Sequence, residues 1–230
     1  MEKLEIVASE ARENDFISCA AHESKSLSIL NAKFEAIERL SVASWWALDR
    51  PWKRPINEAT LNYFSSFIDD VNFSINGGYI ESVCETGTTC IVIIKNENKY
   101  PLLVLGSSYG IDEAKVAENA FFEAAQSWIA SDWLSVNHPY DAPNWDSGHL
   151  RRRFNALEKF EVSEITCESV FETLKMDGFF HDKKIITEKF SAGYVTWVYL
   201  SEPIPAYNYE VADLFRQTDE VIKVYTQCNF

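Results

Sequence analysis

Residues 31–39 combine a narrow polar stripe with apolar positions on the rest of a helical circumference. Asn31, Glu35 and Glu38 fall within about 60° of one another on an α-helix. The apolar positions around them are Leu27, Leu30, Ala32, Phe34, Ala36, Ile37 and Leu40. This pattern predicts a buried helix whose carboxylates are buried with it. Because unpaired buried carboxylates are costly, we expect a cation or several hydrogen-bond donors beside them.

The same polar spacing recurs in residues 119–126. Its stripe lies 88 positions after the first and consists of Asn119, Glu123 and Gln126. Two β-like runs precede each helix, at residues 4–9 and 16–21 and at residues 90–95 and 101–108. We therefore predict an internal pseudo-twofold ββα duplication over residues 4–46 and 90–132, with both stripes facing one cavity. Such oxygen ligands suit Mg²⁺ and phosphate better than zinc.

An ordinary surface ion pair is the alternative explanation of the first stripe. Glu35 and Arg39 are four residues apart in the order that stabilises a helix. Pairs of this kind are common on solvated helix faces. The repeat favours a shared site, because a solvated face has no reason to repeat the same polar residues at the same offsets in two apolar helices.

The segment after the first helix is aromatic and then returns to regular elements. Residues 45–52 contain three tryptophans, which predict either a cap on the core or a stacking surface for adenine or a peptide. Asn57 is the predicted N-cap of a helix that runs through residue 70. Gly77 and Gly78 are predicted to separate that helix from strands at residues 79–84, 90–95 and 101–108.

The second half of the chain continues the alternation of strands and helices. A long loop, a candidate lid, is predicted at residues 132–150. A helix at residues 169–176, strands at 183–188 and 194–200, and a tail helix after residue 206 follow. The alternation predicts an α+β fold with α/β-like layers, in which helices cover mixed sheets, and one domain over residues 1–230.

Charge and cysteine usage narrow the function classes. A formal net charge of −14 argues against nucleic-acid and anionic-membrane partners and suits a basic peptide. We expect no signal peptide and no spanning helix, and hence a cytoplasmic protein. The five cysteines predict neither a disulfide framework nor a zinc site. Cys19 is either a small core residue or a catalytic thiol, and His22 either bonds within its loop or touches a nucleotide.

Two motifs resemble those of the YcaO domain family. Residues 20–25 with Phe34-Glu-Ala-Ile-Glu-Arg39 resemble the family's Glu-x-x-Glu-Arg helix. Residues 105–114 with Glu123-Ala-Ala-Gln126 resemble its Gly-rich strand end and Glu-x-x-Gln helix, in the family's order. The resemblance spans residues 4–206. It implies that ATP and Mg²⁺ bind between the two helices and that ATP phosphorylates a backbone amide oxygen of a peptide, giving azolines, thioamides or amidines.

The resemblance implies a role for each matched residue. Metal ligation falls on Glu35, Glu38, Glu123 and Gln126, and a phosphate or carboxylate contact on Arg39. The candidate ATP-binding set contains these five residues together with Asn31 and Asn119 of the repeated stripes and Arg151 and Arg153 of the later arginine cluster. No catalytic residue beyond this set is assigned.

Three departures from the family's pattern are visible. Asn31 replaces the usual Ser, Trp128 stands where an Arg is often found, and the chain ends without the proline-rich tail of azoline-forming members. The arginine cluster 151–153 either replaces the arginine missing at position 128 or is a solvated helix start.

The leading hypothesis is an ATP- and Mg²⁺-dependent enzyme that activates a peptide backbone amide during maturation of a ribosomally made, bacteriocin-like peptide. Cyclodehydration to azolines is the favoured outcome, and a thioamide-forming enzyme is an alternative. A second alternative is a non-catalytic scaffold subunit of a modification complex, and a third is an unrelated nucleotide-binding enzyme. Expected partners are the precursor peptide, a leader-peptide-binding protein and a possible second copy of the chain.

Overall fold

The computed structural model describes residues 16–47, 52–68, 72–96, 103–137, 180–181 and 184–199. The chain divides into two compact units, which are described separately. Unit 1 comprises Met1–Arg50, Ser82–Gly87 and Glu168–Phe230, and unit 2 comprises Pro51–Glu81 and Thr88–Cys167. The prediction of one domain over residues 1–230 stays a prediction.

Seven strands and three helices lie in the part of the chain that the structure describes. In chain order they are β1 Phe16–His22, α1 Lys25–Ala47, β2 Arg54–Pro55, α2 Glu58–Ser65, β3 Phe73–Ile80, β4 Thr88–Asn96, β5 Leu103–Gly110, α3 Glu113–Asn137, β6 Lys184–Phe190 and β7 Gly193–Tyr199. The strands form two sheets. The predicted α+β class is confirmed. Every strand pair within the described ranges is antiparallel, whereas the sequence had suggested mixed sheets.

Unit 1 consists of a three-stranded sheet, β1-β7-β6, covered by α1. Small residues four apart bring the helix close to the sheet, since Ala32 and Ala36 are fully buried. Ser18 on β1 donates its hydroxyl to the carbonyl of Ala32 at 2.6 Å. Ser28 donates its hydroxyl to the carbonyl of Ala20 at 2.9 Å. These hydroxyls therefore fix α1 on β1.

The first helix is longer than predicted. The periodic stretch 31–39 forms only the centre of α1, which runs from Lys25 to Ala47. Trp45, near its end, is 1% exposed, in agreement with the core-cap interpretation of the aromatic segment. The hydroxyl of Ser41 accepts a hydrogen bond from the backbone N–H of Val83 at 3.1 Å. This bond ties segment 82–87 to α1 within unit 1.

Unit 2 consists of a four-stranded sheet, β2-β3-β4-β5, with α2 and α3 packed on it. Its core includes Val92 and Ile94 from β4 and Ala120, Phe121 and Ala124 from α3. The rings of Phe64 on α2 and Phe121 on α3 stack with centroids 4.5 Å apart. This aromatic pair joins the two helices.

The N-cap prediction for α2 is confirmed, but the helix is shorter than predicted. The side-chain oxygen of Asn57 accepts a hydrogen bond from the backbone N–H of Thr60 at 2.8 Å. The helix ends at Ser65 with Ser66 as its C-cap, so the prediction that it runs through residue 70 is wrong. At this end of the helix, Ser65 and Ser66 donate their hydroxyls back to the carbonyls of Leu61 and Tyr63.

The prediction that Gly77 and Gly78 break the chain before a strand is wrong, because both lie inside β3. A Cβ atom on Gly77 would lie 2.7 Å from the carbonyl oxygen of Ile91, and one on Gly78 would lie 2.6 Å from the ring of Trp52. The glycines permit close approach rather than a turn. The strand predicted at residues 79–84 accordingly lies earlier, at Phe73–Ile80.

Several predicted elements differ from the structure or lie outside the described residues. The loop predicted from residue 132 is wrong for residues 132–137, where α3 continues to Asn137. The strands predicted at 183–188 and 194–200 are confirmed as β6 and β7. The predicted strand at 4–9, the rest of the predicted lid loop, the helix at 169–176 and the tail helix lie outside the described residues. None of the described helices is long and apolar enough to cross a membrane.

Candidate functional site

Each unit contains a glutamate carboxylate that accepts a hydrogen bond from the backbone of an outer strand. In unit 1 the N–H of Cys19 on β1 donates to Glu35 Oε2 at 3.2 Å. In unit 2 the N–H of Ser107 on β5 donates to Glu123 Oε2 at 2.9 Å. Across the described residues, β1 and β5 are the outer strands of their sheets. Outer strands leave N–H groups without a strand partner, and each carboxylate satisfies one of them.

The two contacts are related by the offset that the sequence predicts. Ser107 follows Cys19 by 88 positions, and Glu123 follows Glu35 by the same number. The element bounds agree with this offset, because β1 ends at His22 and β5 at Gly110. The helices α1 and α3 likewise begin at residues 25 and 113. The pseudo-twofold relation itself and the superposition of residues 4–46 and 90–132 stay predictions.

The strand pairings differ from the predicted ββα order in unit 1. The described neighbour of β1 is β7, from the other end of the chain. In unit 2 the neighbour of β5 is β4, which directly precedes it in sequence. The two units thus share a strand followed by a helix, and the antiparallel neighbour of that strand is drawn from different places in the chain.

The contact between strand and helix is closer in unit 2. A Cβ atom on Gly106 would lie 2.2 Å from both the carbonyl oxygen of Ala120 and the backbone nitrogen of Ala124. The corresponding position in unit 1 is Ser18, whose hydroxyl binds the carbonyl of Ala32. Position 106 therefore requires glycine, and this close approach brings α3 to the strand on which Ser107 binds Glu123.

The predicted burial of the polar stripes is wrong. Glu35 and Glu38 are half-buried, and the four other stripe positions are exposed: Asn31, Asn119, Glu123 and Gln126. The stripes lie at the margin of the helix beside the outer strand, because the alanines of each helix occupy the face against the sheet. The expected donors are present beside Glu35, since the N–H of Cys19 and the guanidinium of Arg39 both contact its carboxylate.

Glu35 and Arg39 form an ion pair within α1. The distance from Arg39 Nη2 to Glu35 Oε1 is 2.5 Å, and the two side chains are 33% and 29% exposed, respectively. The other carboxylate oxygen, Oε2, accepts the Cys19 N–H. The local ion pair that the sequence offered as an alternative is thus present, and it occurs together with the repeated strand contact.

The thiol of Cys19 is not activated. Burial raises its pKa, the nearby Glu35 carboxylate raises it further, and Arg39 opposes the shift. The thiol therefore stays neutral at physiological pH, which argues against the catalytic-thiol alternative. His22 accepts a hydrogen bond at Nδ1 from the backbone N–H of Ser24 at 2.9 Å, in agreement with the interpretation of a histidine bonded within its own loop.

Trp128 packs on the core of unit 2. Its ring centroid lies 4.4 Å from that of Phe73 on β3. The position 88 residues earlier is Leu40, which is 2% exposed. Position 128 thus faces the interface between helix and sheet, as position 40 does in unit 1. The candidate replacement arginines, Arg151 and Arg153, lie outside the described residues.

A groove that sequence reasoning missed adjoins Gln126. It has a volume of about 510 Å³ and is lined by Gln126, Ile129, Ala130 and Trp133. Ile129 is 68% exposed and Trp133 is 55% exposed. Spacings of three, four and seven residues from Gln126 place these side chains on one helix face, a signal that was available in the sequence.

The residues fit an oxygen-preferring cation in part. No group of three or more His, Cys, Asp or Glu side chains comes together among the described residues. Mg²⁺ does not need such a cage, because it commonly takes one or two carboxylates together with waters and substrate phosphates. Asn119, Glu123 and Gln126 supply oxygen donors of this kind along one side of α3. The cavity shared by the two stripes stays a prediction.

The fold is similar to that of several solved structures. The chain resembles the E. coli Microcin synthetase McbBCD complex at a TM-score of 0.61 and 14% identity, covering 82% of this chain and 55% of that chain. For the same complex with pro-MccB17 bound, the TM-score is 0.59 and the sequence identity is 16%, and the match covers 87% of this chain and 57% of that chain. For YcaO from Methanopyrus kandleri bound with AMPPCP and Mg²⁺, the TM-score is 0.53 and the sequence identity is 13%, and the match covers 85% of this chain and 56% of that chain.

These similarities show a divergent YcaO-like fold. The structure of the heterocyclase TruD is similar at a TM-score of 0.53 and 15% sequence identity. The match covers 85% of this chain and 30% of the TruD chain. The chain spans little more than half of the matched McbBCD and YcaO chains. Comparison with protein-family models and with curated protein sequences gives no match.

Proposed function

We propose that this chain is an ATP- and Mg²⁺-dependent enzyme that phosphorylates a peptide backbone amide during maturation of a ribosomally made peptide, with cyclodehydration to azolines as the outcome. The observation that carries the proposal is the repeated contact of an outer-strand N–H with Glu35 and with Glu123. It occurs in a YcaO-like fold, at the positions where the two sequence motifs lie.

In phosphoryl transfer, the protein contributes mainly by positioning the reactants and by neutralising the charge of the phosphates. Glu123, with Asn119 and Gln126, supplies oxygen donors for the cation, which neutralises the triphosphate when bound. Arg39 supplies a guanidinium for phosphate. A Cys, Ser or Thr side chain of the peptide adds to the amide carbonyl, the carbonyl oxygen takes the γ-phosphoryl group with release of ADP, and phosphate then leaves as the ring C=N bond forms.

The proposed partners follow from the fold neighbours and from charge. A neighbouring structure holds pro-MccB17 in the McbBCD complex, and another holds AMPPCP and Mg²⁺. By analogy, we assign to this chain a precursor peptide and a leader-binding partner protein. The net charge of −14 favours a peptide with basic residues.

Calorimetric titration with AMPPCP and Mg²⁺ tests the proposal. Loss of a charge-assisted contact costs about 1.5 to 3 kcal/mol, so the double variant Glu35→Gln/Glu123→Gln should bind at least about tenfold more weakly than the wild type. Glu113→Gln is the matched control, because Glu113 belongs to neither stripe and forms an exposed ion pair with Arg54. The distance from Arg54 Nη2 to Glu113 Oε2 is 2.6 Å. Equal affinity and equal metal dependence in wild type and double variant would show that the site is wrong.

A non-catalytic scaffold is the second candidate function. The observation that favours it is Trp128, which packs on the core at the position where the resemblance has an arginine. Phosphate release separates the two candidates, measured with a candidate precursor peptide and a candidate leader-binding partner protein. The enzyme releases phosphate only when the peptide is present, and replacement of the three arginines at 151–153 by Ala abolishes the release. The scaffold releases none in any combination.

A further inference from the structure

The groove on α3 lies on a helix face that is exposed in unit 2, whereas the corresponding face of α1 is covered in unit 1. The four residues that line the groove are all exposed: Gln126, Ile129, Ala130 and Trp133. The residues 88 positions earlier on α1 are the half-buried Glu38 and the buried Ser41, Val42 and Trp45. The same stretch of helix is therefore shielded from solvent in one unit and open to it in the other.

Segment 82–87 lies against this face of α1 within unit 1. The hydroxyl of Ser41 accepts a hydrogen bond from the backbone N–H of Val83 at 3.1 Å, and both Val83 and Cys84 are buried. At the position that corresponds to Ser41, α3 carries Ile129, which has no hydroxyl. A segment that covers the face of α3 would therefore be held by apolar side chains placed against Ile129 and Trp133.

Exposed aromatic rings extend this surface onto α2. Phe122 lies about one helical turn before Gln126, and its ring centroid is 6.4 Å from that of Phe67, just beyond the end of α2. The ring of Phe67 in turn lies 5.0 Å from that of Tyr63. All three rings are exposed. Exposed apolar surface that is rich in aromatic side chains is typical of protein–protein interfaces.

The charge of the two helices indicates the kind of partner. After Lys115, α3 contains Glu118, Glu123 and Asp132 and neither lysine nor arginine. The charged residue of α2 is Glu58. A twofold contact between two copies would place the same acidic helices against each other, and each copy carries a net charge of −14. A different protein with basic residues beside its apolar side chains complements the surface.

We propose that a partner protein docks on this face of unit 2 through a segment that combines apolar side chains with lysine or arginine. The apolar side chains fill the groove and cover Ile129, Trp133 and Phe122, and the basic side chains lie near the acidic residues of α3. The segment covers α3 as segment 82–87 covers α1. Nucleotide and metal take no part in this contact, so the inference goes beyond the proposed function.

The test uses the full chain and labelled synthetic peptides, without nucleotide or metal. The first peptide has about 15 residues, in which leucine and tryptophan are interspersed with lysine. The second has glutamate in place of every lysine. Fluorescence anisotropy should show that the lysine peptide binds at least about tenfold more tightly than the glutamate peptide. Its affinity should fall as the salt concentration rises, because salt screens the charges.

A serine substitution locates the contact without changing charge. Ile129→Ser gives α3 the residue that α1 has at position 41, and it should weaken binding of the lysine peptide about tenfold. Ile111→Ser is the matched control, because Ile111 is 73% exposed, close to the 68% of Ile129, and lies outside α3. It should leave the affinity within about twofold. Both substitutions are at exposed positions and should leave the melting temperature nearly unchanged. Ile129→Ala takes the place of Ile129→Ser if the serine variant is less stable.

Several outcomes would overturn the inference. Absence of binding of the lysine peptide up to about 1 mM, or equal binding of the two peptides, would exclude a basic apolar segment. Equal effects of Ile129→Ser and Ile111→Ser would exclude the groove as its location. A wild-type dimer that dissociates in Ile129→Ser, measured by sedimentation, would assign the surface to a second copy. Displacement of the lysine peptide by a candidate precursor peptide would assign it to the substrate. The titration with AMPPCP and Mg²⁺ is a separate measurement, so failure of this inference and failure of the proposed function are distinguishable.

Discussion

The backbone N–H of Ser107 on β5 donates a 2.9 Å hydrogen bond to the carboxylate of Glu123 on α3. In structural terms the bond satisfies an N–H group of an outer strand. That explanation accounts for a hydrogen-bond acceptor at positions 35 and 123. It leaves unexplained why Asn119 repeats Asn31, because Asn119 is exposed on its helix. The proposed binding site would account for this repeat of exposed polar positions.

We expect Gly106→Ala to destabilise unit 2 and to disturb the bond between Ser107 and Glu123. The added methyl group would lie 2.2 Å from backbone atoms of Ala120 and Ala124, and backbone cannot give way as a side chain can. Overpacking of this kind costs about 1 to 3 kcal/mol or more. Urea unfolding measures the loss, and AMPPCP–Mg²⁺ titration measures its effect on the proposed site.

Gly110→Ala is the control for this prediction. The nearest atom to its added methyl group is the side-chain Cγ2 of Val116 at 2.9 Å, which is farther away than the backbone atoms that face position 106 and belongs to a side chain instead of the backbone. It should lower the free energy of unfolding less than Gly106→Ala does. Equal stability of Gly106→Ala and the wild type would contradict the close approach of α3 to β5.

Ser18→Ala should weaken the attachment of α1 in unit 1. Ser18 is fully buried, and its hydroxyl donates to the carbonyl of Ala32 at 2.6 Å. A hydrogen bond of this kind contributes about 0.5 to 1.5 kcal/mol to stability. Thermal and urea unfolding should show a loss of that size. The matched control is Ser65→Ala, since Ser65 makes the same kind of bond to Leu61 at an exposed position and its loss should cost less.

Stability should fall with rising pH above the ordinary pKa of a thiol because of Cys90. Burial raises the pKa of Cys90 from 9.0 to about 12, Arg54 opposes the shift and Glu113 adds to it. Below about pH 8 the thiol is protonated in both states and contributes no pH dependence. Above pH 9 the unfolded chain loses the proton first, so the free energy of unfolding decreases by about 1 kcal/mol between roughly pH 8.5 and pH 10.

Urea unfolding in the presence of a reductant, at several pH values in that interval, measures the slope. Cys90→Ala removes the group and should flatten the profile, whatever its effect on stability at neutral pH. Part of the slope remains in the variant, because burial also raises the pKa of Cys19 and of Tyr79. An identical slope in the variant and the wild type would contradict a buried neutral thiol at position 90.

The helical period and the 88-residue offset predicted the elements that contain both motifs. Periodicity carries this information because α1 and α3 pack their alanines on the sheet and leave polar residues at the margin. The strand predicted at residues 16–21 is confirmed as β1, Phe16–His22, which ends shortly before α1 begins. For these elements, pattern reasoning succeeded because the residues of one segment determine its structure.

The remainder depends on contacts between distant segments. The pairing of β1 with β7 joins the two ends of the chain, and no local pattern indicates it. From sequence alone, a pair of glycines predicts a turn. In the structure Gly77 faces the carbonyl oxygen of Ile91 and Gly78 faces the ring of Trp52, and these contacts cannot be inferred from the local sequence. The carboxylate of Glu35 was predicted to be buried but is half-buried. The apolar composition of a helix indicates that it packs on other elements, but not which of its side chains lie at the margin of that packing.

The last prediction concerns Trp128→Arg, which restores the residue that the family resemblance favours. Because position 128 faces the sheet as Leu40 does, the guanidinium would be placed against Phe73 and the core of unit 2. Removal of a buried aromatic costs about 3 to 5 kcal/mol, and partial exposure of Trp128 lowers that figure. We expect a lower melting temperature and no gain in AMPPCP–Mg²⁺ affinity, whereas Trp128→Phe should retain most of the stability. A tenfold gain in affinity at unchanged melting temperature would show instead that position 128 reaches the phosphates, and the packing explanation of this departure from the family pattern would then be wrong.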